Sequence, residues 1–365
     1  MSLSVGIVGL PNVGKSTLFN ALTKNSVPME NYPFCTIDPS VGVVAVPDGR
    51  LSALSTISNS EKIIPAVVEF VDIAGLVKGA SAGEGLGNKF LSNIRETDMI
   101  AEVVRIFDDE DIHHVQGAVD PLSDIEVINL ELIMADIETV TKRLGTVGRD
   151  AKKGDKEAVA EEELLEALLP HLEANKLANS FAFADLQTKI IKNLHLLTMK
   201  PFLYVCNKKN GAYNFDENND ERWAELLNYF EENNVEYVTV DAGIEHELKD
   251  LEEEEKNEFR REYGTQDSGI QSLIRACYNR LGLMSYFTTG EKETRAWTVK
   301  IGSTGPKAAS AIHTDFEKKY IRAQVVTFED LVTTGSFAKA REAGKLRTEG
   351  KEYIVKDGDV IEFLI

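Results

Sequence analysis

Nine residues near the amino terminus, Gly9-Leu10-Pro11-Asn12-Val13-Gly14-Lys15-Ser16-Thr17, carry the spacing Gly-x4-Gly-Lys-Ser. Glycines at those positions let backbone N–H groups converge on phosphate oxygens. The lysine behind them reaches β- and γ-phosphates, and the serine hydroxyl is a ligand for Mg²⁺. The pattern is informative only between a strand and a helix, and both are readable. Residues 3–8 alternate apolar and small residues as a strand does, and Leu18, Phe19 and Leu22 share one helical face. A helix that starts at the lysine adds its positive N-terminal end to the anion site. These residues point to a nucleoside triphosphate as ligand, with Lys15 as the catalytic cation.

Three further positions have the chemistry such a site needs. Thr36 lies in Tyr32-Pro33-Phe34-Cys35-Thr36-Ile37-Asp38-Pro39, where it can reach the metal and the γ-phosphate. Asp72-Ile73-Ala74-Gly75 ends a strand-like run over 66–71, placing a carboxylate near the metal and the Gly75 N–H near the γ-phosphate. The next residue is Leu76, where signalling GTPases carry a water-orienting glutamine; a leucine has no donor or acceptor for that task. Either hydrolysis is slow or another group holds the water. The adjacent pair His113-His114 is one source of such a group, and a solvated acidic loop with two histidines is the other reading.

A base-reading motif is expected at the end of a late strand, and the run 201–206 is followed by Asn207-Lys208-Lys209-Asn210. In the guanine-reading form the fourth residue is Asp, whose carboxylate accepts from two guanine donors. An amide keeps one acceptor and adds a donor, which matches the N1 acceptor and N6 donor of adenine. Asn207, Lys208 and Asn210 are therefore the candidate base-side residues, with ATP favoured and GTP open. A plain polar turn is the alternative.

The elements that must position these groups are legible in outline. The chain has 365 residues, 43% hydrophobic and 27% charged, enough for two or three domains with a real core. No apolar run approaches membrane length, and the amino terminus runs into a strand without a basic leader, so a cytoplasmic protein without membrane contact is expected. Cys35, Cys206 and Cys277 are odd in number and far apart, which suggests reduced thiols. A net charge of −20 disfavours indiscriminate nucleic-acid binding, and no sequence-specific DNA binding is expected. From Gly290 onward 13 basic residues nearly balance 12 acidic ones, so this region is one candidate for an RNA contact, or is merely solvated. Ile133, Ile137, Val140, Leu144 and Val147 repeat at 4-3-4-3 spacing, and Leu165, Leu168 and Leu172 form a facing stripe after Lys152-Lys153-Gly154-Asp155. This predicts an antiparallel helical hairpin, with Pro170 breaking or kinking its second helix. Later segments predict a strand at 235–240, a loop at 241–245 against the base, and a helix at 268–281. Beyond residue 283 a compact α+β binding module is expected, with strands at 295–301, 353–355 and 360–365.

Together the stretches 9–17, 31–39, 72–96, 313–323 and 349–359 resemble the YchF subfamily of Obg-like P-loop ATPases, in the TRAFAC class, over essentially the whole chain. The resemblance implies an α/β fold: a P-loop NTPase domain with a doubly wound, mainly parallel sheet (1–123 and 200–282), an inserted antiparallel coiled-coil arm (124–199), and a C-terminal β-grasp TGS domain (283–365). It further implies hydrolysis of ATP in preference to GTP, a need for Mg²⁺, association with the ribosome or ribosomal RNA, and a link to the oxidative-stress response. Phosphate contacts would fall on Asn12, Val13, Gly14, Lys15, Ser16 and Thr17, and metal contacts on Ser16 and Thr36. Asn12 would engage a monovalent cation, K⁺; Leu76 matches the family's hydrophobic replacement of glutamine, and His114 the water-positioning histidine. The family's base motif is Asn-x-x-Glu, so Asn210 is a departure.

Overall fold

The computed structural model describes residues 3–24, 27, 40–73, 87–109, 112, 118–248, 251, 255–256, 258–259 and 269–365. In chain order the first half contains β1 (Ser4–Val8), α1 (Lys15–Lys24), β2 (Val41–Ala45), α2 (Arg50–Ser58), β3 (Ile63–Ile64) and β4 (Val67–Asp72). There follow α3 (Gly87–Glu96), β5 (Met99–Arg105), β6 (Phe107–Asp108), α4 (Pro121–Ala151), α5 (Lys156–Glu173) and α6 (Asp185–Lys192). The chain then returns through β7 (Phe202–Asn207), β8 (Tyr213–Asn214), α7 (Glu221–Glu232), β9 (Glu236–Val240), α8 (Ala242–Leu248) and α9 (Gly269–Arg280).

The main sheet has the order β2-β4-β1-β5-β7-β9. Its β4-β1-β5-β7-β9 pairings are parallel, and only the β2 edge is antiparallel. Every residue of β5 and β7 is buried, as central parallel strands covered on both faces require. The strand order reverses across β1, so the loop after it opens into the crevice where ligands bind in such sheets. Two charges nonetheless sit in β5. Arg105 donates to the carbonyls of Phe107 (2.9 Å), Asp109 (3.2 Å) and Ile112 (3.1 Å), fixing the backbone beyond the strand. Burial pushes the Glu102 carboxyl well up, with nearby Asp124 reinforcing the shift.

The helical hairpin is present, and its seam is the expected one. Ile133, Val140, Val147, Leu165, Leu168 and Leu172 belong to one buried cluster, with Ile137 and Leu144 packed against it. Asp120 caps α4 by accepting from the Ser123 N–H, Pro121 opens the helix, and Asp155 caps α5. Only the far half of α4 belongs to the hairpin alone, because Ile128 and Leu132 pack into the core of the main sheet. The root is held by Asp136, fully buried, which accepts from Leu197 N (2.7 Å), Thr198 N (2.8 Å) and Thr198 Oγ1 (2.7 Å). Of the kink or break expected at Pro170, the break does not occur: α5 runs through it to Glu173. Pro170 and Glu166 are both exposed, so water can serve the carbonyl that lacks a partner, and the helix ends within a turn.

The C-terminal region continues with β10 (Leu283–Thr289), β11 (Thr294–Lys300), β12 (Arg322–Thr327), β13 (Arg347–Glu349) and β14 (Asp359–Leu364). Helices Gly305–Ile312, Thr314–Lys319, Phe328–Thr334 and Phe337–Glu342 lie between them. The sheet order β13-β12-β14-β10-β11-β3 brings in the two-residue strand from the first half of the chain, Ile64 pairing with Arg295. Residues 353–355 form no strand; Ile354 makes a single bridge to Thr304.

Candidate nucleotide site

Among the described residues, Lys15 and Ser16 follow β1, Asp72 ends β4, Asn207 ends β7 and Asp241 follows β9, all at the C-terminal ends of strands of the main sheet. After β1 the chain turns through Gly9 (φ +144°), Asn12 (φ +63°) and Gly14 (φ +100°) before α1 begins at Lys15. A Cβ on Gly9 would collide with the Val103 carbonyl, and one on Gly14 with Asn207 Nδ2, so glycine is demanded there by both space and dihedral. Val13 is buried and anchors the loop, while Asn12 and Ser16 are exposed and Thr17 is half-buried.

Lys15 is buried at 8% exposure, and its ammonium donates to the Leu10 carbonyl inside the loop. Burial lowers its pKa to about 8, and the negative charge of Asp72 opposes that fall. Asp72, buried at the end of β4, lies opposite Ile7 of β1 in the parallel register. A serine hydroxyl at a helix start and a buried carboxylate on the neighbouring strand are hard oxygen donors, the set that suits Mg²⁺. Among the described residues no group of three or more His, Cys, Asp or Glu could by itself hold a metal. Thr36, Gly75, Leu76 and His114 lie outside the described residues.

Asn207 has a role that its residue type did not reveal. Its Nδ2 donates to the Val13 carbonyl (2.8 Å), and its Oδ1 accepts from the Ala242 N–H (3.0 Å) at the start of α8. One buried amide thus ties the phosphate loop to the far side of the site. Lys208 donates its backbone N–H to the Val240 carbonyl, and its ammonium pairs with Glu217 at 2.8 Å. Lys209 pairs with Asp109, which directly follows β6. Asn210 is exposed, and its backbone N–H donates to Asp241 Oδ2 (2.6 Å).

Asp241, expected only as part of a loop against the base, has a structural role that the sequence did not reveal. The segment 241–245 is no loop but the start of α8, and Asp241 Oδ1 accepts from the Ile244 N–H (2.9 Å) as an N-cap does. Its carboxylate thereby holds both the Asn210 turn and the helix; burial raises its pKa, and these backbone donors oppose the rise. The available signal was an Asp directly after a strand and three residues before an apolar helical face.

Comparison with known proteins supports one assignment. Residues 4–143 match the family described as 50S ribosome-binding GTPase, and residues 283–365 match a YchF-GTPase C-terminal family described as a protein of unknown function. The chain is 54% identical to the ribosome-binding ATPase YchF of Bacillus subtilis over 363 residues, covering all of this chain and 99% of that one. It is 50% identical to the ribosome-binding ATPase YchF of Escherichia coli O157:H7 over 366 residues, again covering all of this chain and 99% of the other. The YchF GTPase structure of Schizosaccharomyces pombe superposes with a TM-score of 0.89 at 37% identity, covering 100% of this chain and 98% of that one. Its glycine-shaped phosphate loop, its buried lysine and its similarity over the full length show that the chain belongs to the YchF family of P-loop nucleotide-binding proteins.

Proposed function

We propose that this chain is a Mg²⁺-dependent nucleoside triphosphatase that hydrolyses ATP in preference to GTP, and that its bound nucleotide controls association with the ribosome in the cytoplasm. The observation that carries the reading is Lys15, buried at the start of α1 beneath a loop clamped by Asn207 and facing the charge of Asp72. In this reading Asn12 to Thr17 and Gly75 receive the phosphates, Ser16 and Thr36 hold Mg²⁺, and Asp72 supports it. Bound Mg²⁺ supplies charge neutralisation at the β- and γ-oxygens. Lys15 and the loop amides offset the remaining phosphoryl charge, and His114 orients the attacking water that Leu76 cannot. Asn12 takes K⁺.

ATP preference is supported at position 210. Its main chain is fixed by Asp241 while its amide remains exposed, and one amide matches adenine better than guanine. Lys208 borders the base beside it. The regions 1–123 and 200–282 form the hydrolytic domain, 124–199 is the arm and 283–365 is a TGS domain; the last two read out the nucleotide state. Leu76 also favours a second reading, an adaptor that binds nucleotide and scarcely turns it over.

Competition for a labelled adenine nucleotide tests the preference. ATP should displace it at a concentration at least about tenfold below GTP, a difference of about 1.4 kcal/mol; tighter GTP binding would reverse the assignment. His114→Ala should abolish most turnover while sparing binding, and unchanged hydrolysis removes it from the mechanism. Equal turnover in potassium and sodium would remove the monovalent-cation role of Asn12. A Lys15→Ala chain that loses turnover yet associates with ribosomes independently of nucleotide would support the adaptor.

A further inference from the structure

The tip of the helical hairpin reverses the charge of the molecule. In a chain of net charge −20, residues 142–156 hold six basic side chains (Lys142, Arg143, Arg149, Lys152, Lys153, Lys156) against two acidic ones, Asp150 and Asp155. The next ten residues hold five glutamates and no base. Residues 152–157 are all exposed. Two of the cations have local partners: Arg143 makes two 2.6 Å bonds to Glu161, and Lys153 lies 2.8 Å from Asp150. Among the described residues, Lys142, Lys152 and Lys156 make no ion pair, and Arg149 stands seven residues from Lys142 on the same line of α4.

Helix ends alone do not account for this pattern. Cations in the last turn of α4 complement its negative C-terminal end, which covers Arg149 and Lys152. Lys156 opens α5, where the helix end is positive and a cation is disfavoured, and Lys142 lies more than two turns from either end. The glutamates of α5 leave only the end of the hairpin and the α4 side open to an anion. The C-terminal region offers no such excess, because its basic and acidic residues nearly cancel and several are paired, Lys345 with Asp330 and Arg347 with Asp359 among them.

We infer that the hairpin tip docks end-on against the phosphate backbone of folded RNA, with Lys142, Arg149, Lys152 and Lys156 meeting successive phosphates. The inference rests on the ribosome-associated reading above and names the partner chemistry at one surface of it. Binding of this kind releases counterions and carries no base specificity, so its signature is salt dependence.

The test is a charge-reversal variant, Lys142→Glu/Lys152→Glu/Lys156→Glu, with the corresponding Lys→Arg triple as the conservative control. A labelled RNA hairpin is titrated across a salt series, and co-sedimentation with purified ribosomes is measured with ATP bound. Each phosphate contact contributes roughly 0.7–0.9 to the slope of log affinity against log salt, so three lost contacts should lower the slope by about 2 and affinity at 0.1 M salt by about 100-fold. The arginine triple should retain both, and ATP affinity and helix content should match the parent chain in each variant. An unchanged slope and affinity for the RNA hairpin overturns the inference. So does loss of ribosome binding with RNA binding intact, which assigns the tip to a ribosomal protein. A parent chain that fails to sediment with ribosomes in any nucleotide state would refute the ribosome reading, and the RNA titration would still judge the tip.

Discussion

Replacing Asn207 separates a residue that shapes the phosphate loop from one that reads the base. Asn207→Ala removes the bond to the Val13 carbonyl and the bond from the Ala242 N–H, both buried. Leaving buried polar partners unmatched costs about 1–3 kcal/mol each, so a net loss of about 2–4 kcal/mol is expected, or a fall of about 5–15 °C in Tm. The loop also loses the contact that sets the Gly14 peptide, so ATP affinity should fall about tenfold or more. Asn207→Asp sharpens the test. It keeps an acceptor for Ala242 but sets a carboxylate oxygen against the Val13 carbonyl, so nucleotide binding should suffer as badly as in the alanine variant. Asn210→Ala removes an exposed amide and should leave Tm within about 1 °C while narrowing the gap between ATP and GTP. Scanning calorimetry and isothermal titration measure both quantities. An Asn207→Ala chain with parental Tm and parental ATP affinity would refute the clamp.

Two other outcomes follow from the buried charges. Burial holds the Lys15 ammonium at about 8, and a triphosphate beside it must raise that value. Above pH 8, therefore, ATP binding takes up a proton and weakens as pH rises. Titration at a pH of about 8.5 in buffers of different ionisation enthalpy should show the uptake, Lys15→Arg should not, and identical heats in all buffers would contradict the assignment. In the absence of nucleotide the same lowered pKa makes stability rise with pH between about 8 and 10.5, because the unfolded chain then binds the extra proton. At the arm root, Asp136→Ala strands Leu197 N, Thr198 N and Thr198 Oγ1 and should cost about 3–5 kcal/mol, with faster hydrogen exchange over residues 196–199. Parental exchange in that segment would show that the root is held by its apolar contacts alone.

What could be read from sequence was whatever backbone geometry or periodicity imposes locally. Gly9 and Gly14 are dictated by dihedral and contact, so the loop declared itself. The hairpin seam was equally plain, because 4-3 spacing identifies the buried face. That spacing does not say what the face packs on, and the burial of Ile128 and Leu132 in the main core was invisible. Asn207 was read as a base-side residue, and its bonds to Val13 and Ala242 were invisible, since an amide has a donor and an acceptor and sequence does not say which neighbours use them. Two-residue β3 joined the second sheet through a pairing between Ile64 and Arg295, far beyond any local window. Strands β10 and β12 were missed because LMSYFTT and RAQVVT lack a clean alternation, the first being buried over its first five residues.

In the proposed function the loop of residues 9–17 grips a triphosphate with its amides, Lys15 and a Ser16-held Mg²⁺. Calorimetric titration of nucleotide-free protein with ATP in the presence of Mg²⁺ tests it directly. One saturable site per chain is expected, abolished by Lys15→Ala and weakened by removing Mg²⁺. Absence of binding heat with both ATP and GTP, at temperatures spanning any zero of the enthalpy, would contradict it.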